Sequence, residues 1–145
     1  MNYTIDYNFD TRRQYIAFLE KLAEYCDTVA VLAGSDAFLP NFFMQQEPEV
    51  RRMREFPGYA KHWKKFDVPF YSLDKKATSV LKEYCSFLDI GHETYGDNAG
   101  YDMAFYREGD LVFYVIWHEN MSLLCEKHRP HFASTIEQYQ ISEFR

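Results

Sequence analysis

His118 and Glu119 follow seven apolar residues, Leu111 to Trp117, within the stretch DLVFYVIWHENMSLLC that runs from Asp110 to Cys125. An imidazole that titrates near neutral pH beside a carboxylate is raw material for acid–base catalysis or metal ligation. Pleated geometry argues against convergence, because neighbours in a strand point to opposite faces. A run that is apolar on both faces predicts a central strand covered on both sides. The pair then marks where the strand leaves the core, meeting solvent, satisfying a turn or lining a binding rim.

Two further constellations bear on chemistry. In CEKHRPH, Cys125, His128 and His131 stand at C-x2-H-x2-H. Helical spacing of three would bring them near one face, and thiolate plus imidazole suits zinc. Pro130 interrupts such a helix, and a fourth ligand is not evident unless His118 or Glu119 folds back. A capped helix start with exposed histidines is the competing reading, and no cofactor is assigned. The stretch GHETYGDNAG from Gly91 to Gly100 holds a second pair, His92-Glu93. Its glycines form neither G-x-G-x-x-G nor a P-loop. Glu93, Asp97 and Asp102 could make an acidic rim, but not at EF-hand spacing. No G-x-S-x-G occurs, so nucleophilic catalysis has no motif.

The elements that must position these residues read as follows. YTIDYNF (Tyr3 to Phe9) alternates as a strand with one wet face. Thr11 and Gln14 form a capping box before a helix from Arg12 to Cys26. TVAVLAG (Thr28 to Gly34) is a buried strand. From Ser35 to Phe66, Pro40, Pro48 and Pro57 predict short helices broken by turns. VPFYSLD (Val68 to Asp74) predicts a strand, with Pro69 placing it at an edge or at a strand start. Asp74 caps a helix over Ala77, Val80, Leu81, Tyr84, Cys85 and Leu88, with Gly91 as its stop. YDMAFYRE and LVFYVIWH flank Gly109-Asp110 as a hairpin, and MSLLC adds a third strand after a turn at Glu119-Asn120. Pro130 starts a final helix through Phe132, Ile136 and Tyr139. The order predicts an α+β fold in a single domain, 1–145. Its mainly antiparallel sheet has a meander in the C-terminal half, and helices pack on one face.

Charge is uneven along the chain. RRMREFPGYAKHWKKF (Arg51 to Phe66) holds six cations and one acid, so this window carries +5 and the remainder of a chain of net charge −6 carries −11. The interleaved Phe56, Tyr59, Trp63 and Phe66 could stack bases while the cations pair phosphates. A solvated helix face with its aromatics turned inward is the plainer reading. The overall acidity speaks against general nucleic-acid binding and permits a basic partner. Thirteen Phe and twelve Tyr supply a core and place tyrosines at rims, where the hydroxyl finds a partner. Cys26, Cys85 and Cys125 form no CxxC and sit in apolar contexts, which predicts buried free thiols, as suits a reducing cytosol. The N-terminus MNYTIDYNFD lacks the features of a signal peptide. No apolar run approaches the roughly 18–20 residues of a membrane helix.

The segment FLDIGHETYGDNAGYDMAFYREGDLVFYVIWHEN, from Phe87 to Asn120, resembles the central part of the SUKH superfamily. That superfamily includes bacterial immunity proteins against polymorphic toxins and fungal cell-wall synthesis regulators. The tail FASTIEQY (Phe132 to Tyr139) is similar to its final helix, and FLPNFF (Phe38 to Phe43) is similar to its Leu-Pro element. The resemblance implies a non-catalytic, cytoplasmic α+β module that neutralises a toxin by direct binding, with the loop and sheet face as contacts. The expected partner is a protein, such as a basic toxin domain. Expected contacts are Glu93, Tyr95, Asp97, Tyr101, Asp102, Tyr106, Tyr114, Trp117, His118 and Glu119, because Tyr and Trp offer contact area at low entropic cost. Two alternatives stand beside it: a small metal-dependent or His/Glu/Cys hydrolase, and a nucleic-acid-associated factor using the basic segment 51–66.

Overall fold

The computed structural model describes residues 3–32, 44–90 and 100–144. Among the described residues, eight strands form one antiparallel sheet: β1 (Thr4–Asn8), β2 (Thr28–Leu32), β3 (Glu49–Met53), β4 (Phe66–Ser72), β5 (Asp102–Arg107), β6 (Asp110–Ile116), β7 (Met121–Cys125) and β8 (Ser142–Glu143). Their order across the sheet is β3-β4-β2-β5-β6-β7-β1-β8. Among the described residues there are three α-helices: α1 (Arg12–Tyr25), α2 (Lys75–Leu81) and α3 (Arg129–Gln138). The α+β class, the antiparallel sheet and the C-terminal meander β5-β6-β7 are as the sequence predicts.

Alternation sorts the two faces. Val29 and Val31, Met103 and Phe105, Phe113 and Val115 point to the face that α1, α2 and α3 cover. Their neighbours Ala30 and Ala104, with Val68 and Phe70, point to the other face. The helical face holds the larger core, centred on Phe87, whose ring lies 4.7 Å from Tyr15, 4.9 Å from Phe113 and 5.1 Å from Phe9. Edge-on and tilted contacts of this kind add about 0.5–1.5 kcal/mol each beyond area burial.

The local signals act where they stand. The Thr11–Gln14 capping box is formed, and Pro130 sits in the first turn of α3. The β5–β6 turn, expected at Gly109-Asp110, forms one residue earlier, with Glu108 (φ 48°) and Gly109 (φ 83°) in the left-handed region as a two-residue hairpin requires and Asp110 already paired with Arg107. Asn120 (φ 58°) makes the turn into β7.

Four expectations give way. Residues 49–53 form a strand rather than part of a broken helix, and β3 pairs outside β4 from Glu49 against Phe70 to Met53 against Phe66. That pairing moves β4, with Pro69, one strand in from the edge. The helix expected to run to Leu88 stops at Leu81. There the Tyr15 hydroxyl donates to the Leu81 carbonyl and Arg12 Nη2 donates to the Lys82 carbonyl at 2.5 Å, so the terminal acceptors are capped from α1. The chain then turns Phe87 into the core through a short 3-10 segment, Phe87–Asp89. The strand expected to reach His118 ends at Ile116, and Trp117–Glu119 form a 3-10 turn. The predicted stops at Gly34 and Gly91 lie outside the described residues.

Candidate functional site

Residues 54–65 cross the face of the sheet that the helices leave free. Phe56, 3% exposed, plugs into the cluster of Ala30, Val68, Phe70 and Ala104. Gly58 follows at φ +89°, and a Cβ there would lie 2.4 Å from Ile116 Cδ1, so the close approach and the backbone both call for glycine. The segment then reaches Asp102 at the head of β5. His62 N–H donates to the Arg54 carbonyl at 2.7 Å, which closes the segment into a strap with a narrow neck.

Asp102 is the latch of this strap. Its carboxylate is buried, only 4% exposed. One oxygen accepts the Trp117 backbone N–H at 2.5 Å, and the other accepts the Tyr59 hydroxyl. His118 Nδ1 lies 3.6 Å from that second oxygen, and its ring meets Tyr59 edge-on at 5.6 Å. Burial, then the hydrogen bond to Asp102, then the charges of Asp102 and Glu119, push the Tyr59 hydroxyl above its ordinary pKa. His118 and Glu119 therefore sit where the strand leaves the core, as the apolar run predicts. Both are exposed in the turn, with His118 leaning on a carboxylate already committed to two donors.

A second polar cluster ties α1 to the β6 and α3 starts. The Tyr25 hydroxyl is 2.8 Å from His128 Nδ1, and His128 Nε2 is 2.7 Å from Asp110 Oδ2. The same oxygen meets Lys127 Nζ at 2.7 Å. The hydrogen bond from Lys127, ahead of that from His128, holds the Asp110 carboxyl below the usual range. The Tyr25 ring stacks on His131 at 3.8 Å and lies 4.4 Å from the Arg107 guanidinium. Two of the three residues weighed as metal ligands, His128 and His131, thus pack around Tyr25. Both His128 nitrogens are engaged, and the imidazole is 7% exposed. Among the described residues, no group of three His, Cys, Asp or Glu is placed to hold a metal ion. Cys125 closes β7 as a buried thiol, its pKa raised by burial.

The expected contact residues fall into three groups. Trp117, His118 and Glu119 come together at the latch, with the Trp117 ring packed where Gly100 leaves room. Tyr106 and Tyr114 lie half-buried against the second-face cluster. Tyr101 is fully buried in the main core, and Asp102 is enclosed by its donors, so neither offers surface to a partner. Glu93, Tyr95 and Asp97 lie outside the described residues.

Sequence reasoning missed Tyr59, Tyr25 and Asp110 as members of these clusters. Tyr59 and Asp102 are 43 residues apart, Tyr25 and His128 are 103 apart, and no spacing links either pair. The expectation of inward aromatics on a helix over 59–66 also fails. No helix forms there, and Trp63 is 77% exposed with its ring 6.1 Å from His62 and 5.1 Å from Lys64 Nζ. Among the described residues, Val50, Tyr59 and Trp63 make β3 and the strap the densest region of exposed large apolar side chains; Tyr3 and Phe144 lie near the chain ends.

Comparison of this chain with protein-family models, with curated proteins and with solved structures finds no match. No described helix is long and apolar enough to cross a membrane.

Proposed function

We propose that this protein is a non-catalytic binding module of the immunity type, which neutralises a toxic protein by direct contact. The observation that carries the reading is where the polar chemistry goes. The buried Asp102 carboxylate and His128 imidazole are each hydrogen-bonded at both polar atoms to other parts of the same chain. Groups so engaged position backbone and secure the fold; a general base needs a face left open to substrate. The exposed aromatic surface lies instead on the strap and β3, where contact area is offered to a partner. The likeness of Phe87–Asn120 to SUKH immunity proteins supports the same reading.

Co-production with the product of the neighbouring gene, first shown to arrest growth on its own, tests the proposal. The expected result is restored growth and a stoichiometric complex on size exclusion. Growth that stays arrested although the protein is folded and abundant would overturn it.

A further inference from the structure

β3 ends the sheet. Among the described residues it pairs only with β4, and no backbone hydrogen bond reaches residues 49–53 from any other element. A five-residue edge presents about 17 Å of unpaired N–H and C=O groups. Native edges are commonly shielded by proline and charge, and here Pro48 precedes the strand while Glu49, Arg51 and Arg52 are exposed. Such charges turn away an indiscriminate strand, and they leave the edge open to one of complementary charge.

The charge gathers at one end. Arg51 is held by Glu49 at 2.8 Å, Arg52 by Asp67 at 3.5 Å and Lys61 by Glu55 at 3.7 Å. Arg54, Lys64 and Lys65 have no carboxylate partner among the described residues. The His62–Arg54 neck and the pairing of Phe66 with Met53 bring Trp63, Lys64 and Lys65 to the C-terminal end of β3. Three unneutralised cations and a Trp that is 77% exposed thus flank an open sheet edge.

We propose that the β3 edge and residues 63–65 form a docking site for an extended acidic segment of a protein partner. The segment adds as a further strand, with carboxylates over Arg54, Lys64 and Lys65 and an apolar side chain against Trp63. The inference rests on the binding-module reading and, at this site, puts an acidic segment in place of the basic partner expected from the overall charge. A single-stranded nucleic acid could use the cations and Trp63, but it has no row of amides to pair along β3.

The test titrates full-length protein into a fluorescein-labelled peptide of about ten residues alternating Glu and Val, long enough to span β3. Controls are the same peptide with Lys for Glu, a backbone N-methylated acidic peptide, and a short oligodeoxythymidine. Only the unmodified acidic peptide is expected to raise anisotropy. Its affinity falls about tenfold or more in K64E/K65E and in W63A, and weakens as salt is added. Absent binding of the acidic peptide, equal binding of the Lys or N-methylated peptide, tighter binding of the oligonucleotide, or unchanged affinity in K64E/K65E overturns the proposal. So does sedimentation showing that a second copy occupies the edge. Neutralisation by the wild type that survives in K64E/K65E removes this docking site and leaves the binding-module reading intact. Failure of the wild type to neutralise removes that reading, whatever the peptide does.

Discussion

The Tyr59 hydroxyl donates to the buried Asp102 carboxylate across 43 residues of chain, pinning the middle of the basic strap to the head of β5. Asp102 also holds the Trp117 backbone, so one side chain fixes both the strap and the turn that ends β6. Tyr59→Phe is expected to cost about 1 kcal/mol, the net value of one hydrogen bond. Asp102→Ala strands two donors and is expected to cost roughly 3 kcal/mol. Urea denaturation of the two variants checks the order; equal losses would show that Asp102 does not act as a shared anchor.

Gly58 should be irreplaceable for two separable reasons. Its φ of +89° disfavours any L side chain, and a Cβ would overlap Ile116 Cδ1. Gly58→Ala is expected to lose about 1–3 kcal/mol. Combining it with Ile116→Ala relieves the overlap but not the backbone strain. A double-mutant cycle should therefore show partial coupling, and full additivity would remove the steric part of the argument.

Phe56 and Trp63 belong to one strap but to different environments. Phe56→Ala is expected to cost about 3 kcal/mol through the cavity it leaves. Trp63→Ala should change stability by no more than about 0.5 kcal/mol, because its ring is mostly in water. Thermal or urea unfolding decides it; comparable losses at both positions would mean that Trp63 packs inward.

The three thiols should differ sharply. Burial, ahead of the Asp27 charge, pushes Cys26 up to about 12, and burial also raises Cys125, whereas Cys85, expected to be buried like the other two, is exposed. Thiolate is the reactive form. A disulfide reagent at mildly alkaline pH should modify Cys85 alone in the native protein and all three in denaturant. Fast native reaction at Cys26 would contradict its placement.

Acid sensitivity should include a small contribution from Asp110. Its carboxyl is depressed in the fold, mainly by the Lys127 hydrogen bond and then by His128. The unfolded carboxyl titrates near roughly 3.9. The stabilisation is therefore complete above that value and is lost as pH falls through the folded one. Asp110 is 46% exposed, so solvent screening keeps the effect modest. Asp110→Asn should flatten the acid limb of the stability profile below about pH 5, measured by urea midpoints. An unchanged slope would show that the pair carries no linkage.

Local chemistry was legible wherever it acts over a few residues. The Thr11–Gln14 box, the hairpin at Gly109, the 3.6-residue repeat of α1 and the apolar run of β6 each specify their own geometry to within a residue or two, and the sheet class follows from their order. The antiparallel meander β5-β6-β7 was legible for the same reason, since short turns join its strands. Tertiary structure decided the rest. The repeat through Tyr84, Cys85 and Leu88 continues on paper, but α1 caps the helix at Leu81. Exposed Glu49–Met53 lacks the apolar alternation of a strand and becomes one because β4 offers an unpaired edge. Aromatics at helical spacing in the strap divide between core and water because Phe56 meets the sheet and Trp63 meets nothing that covers it. The latch and the Tyr25–His128–Asp110 relay join groups far apart in the chain. Only the closing of the sheet, driven by burial of the core, brings such groups within hydrogen-bond range.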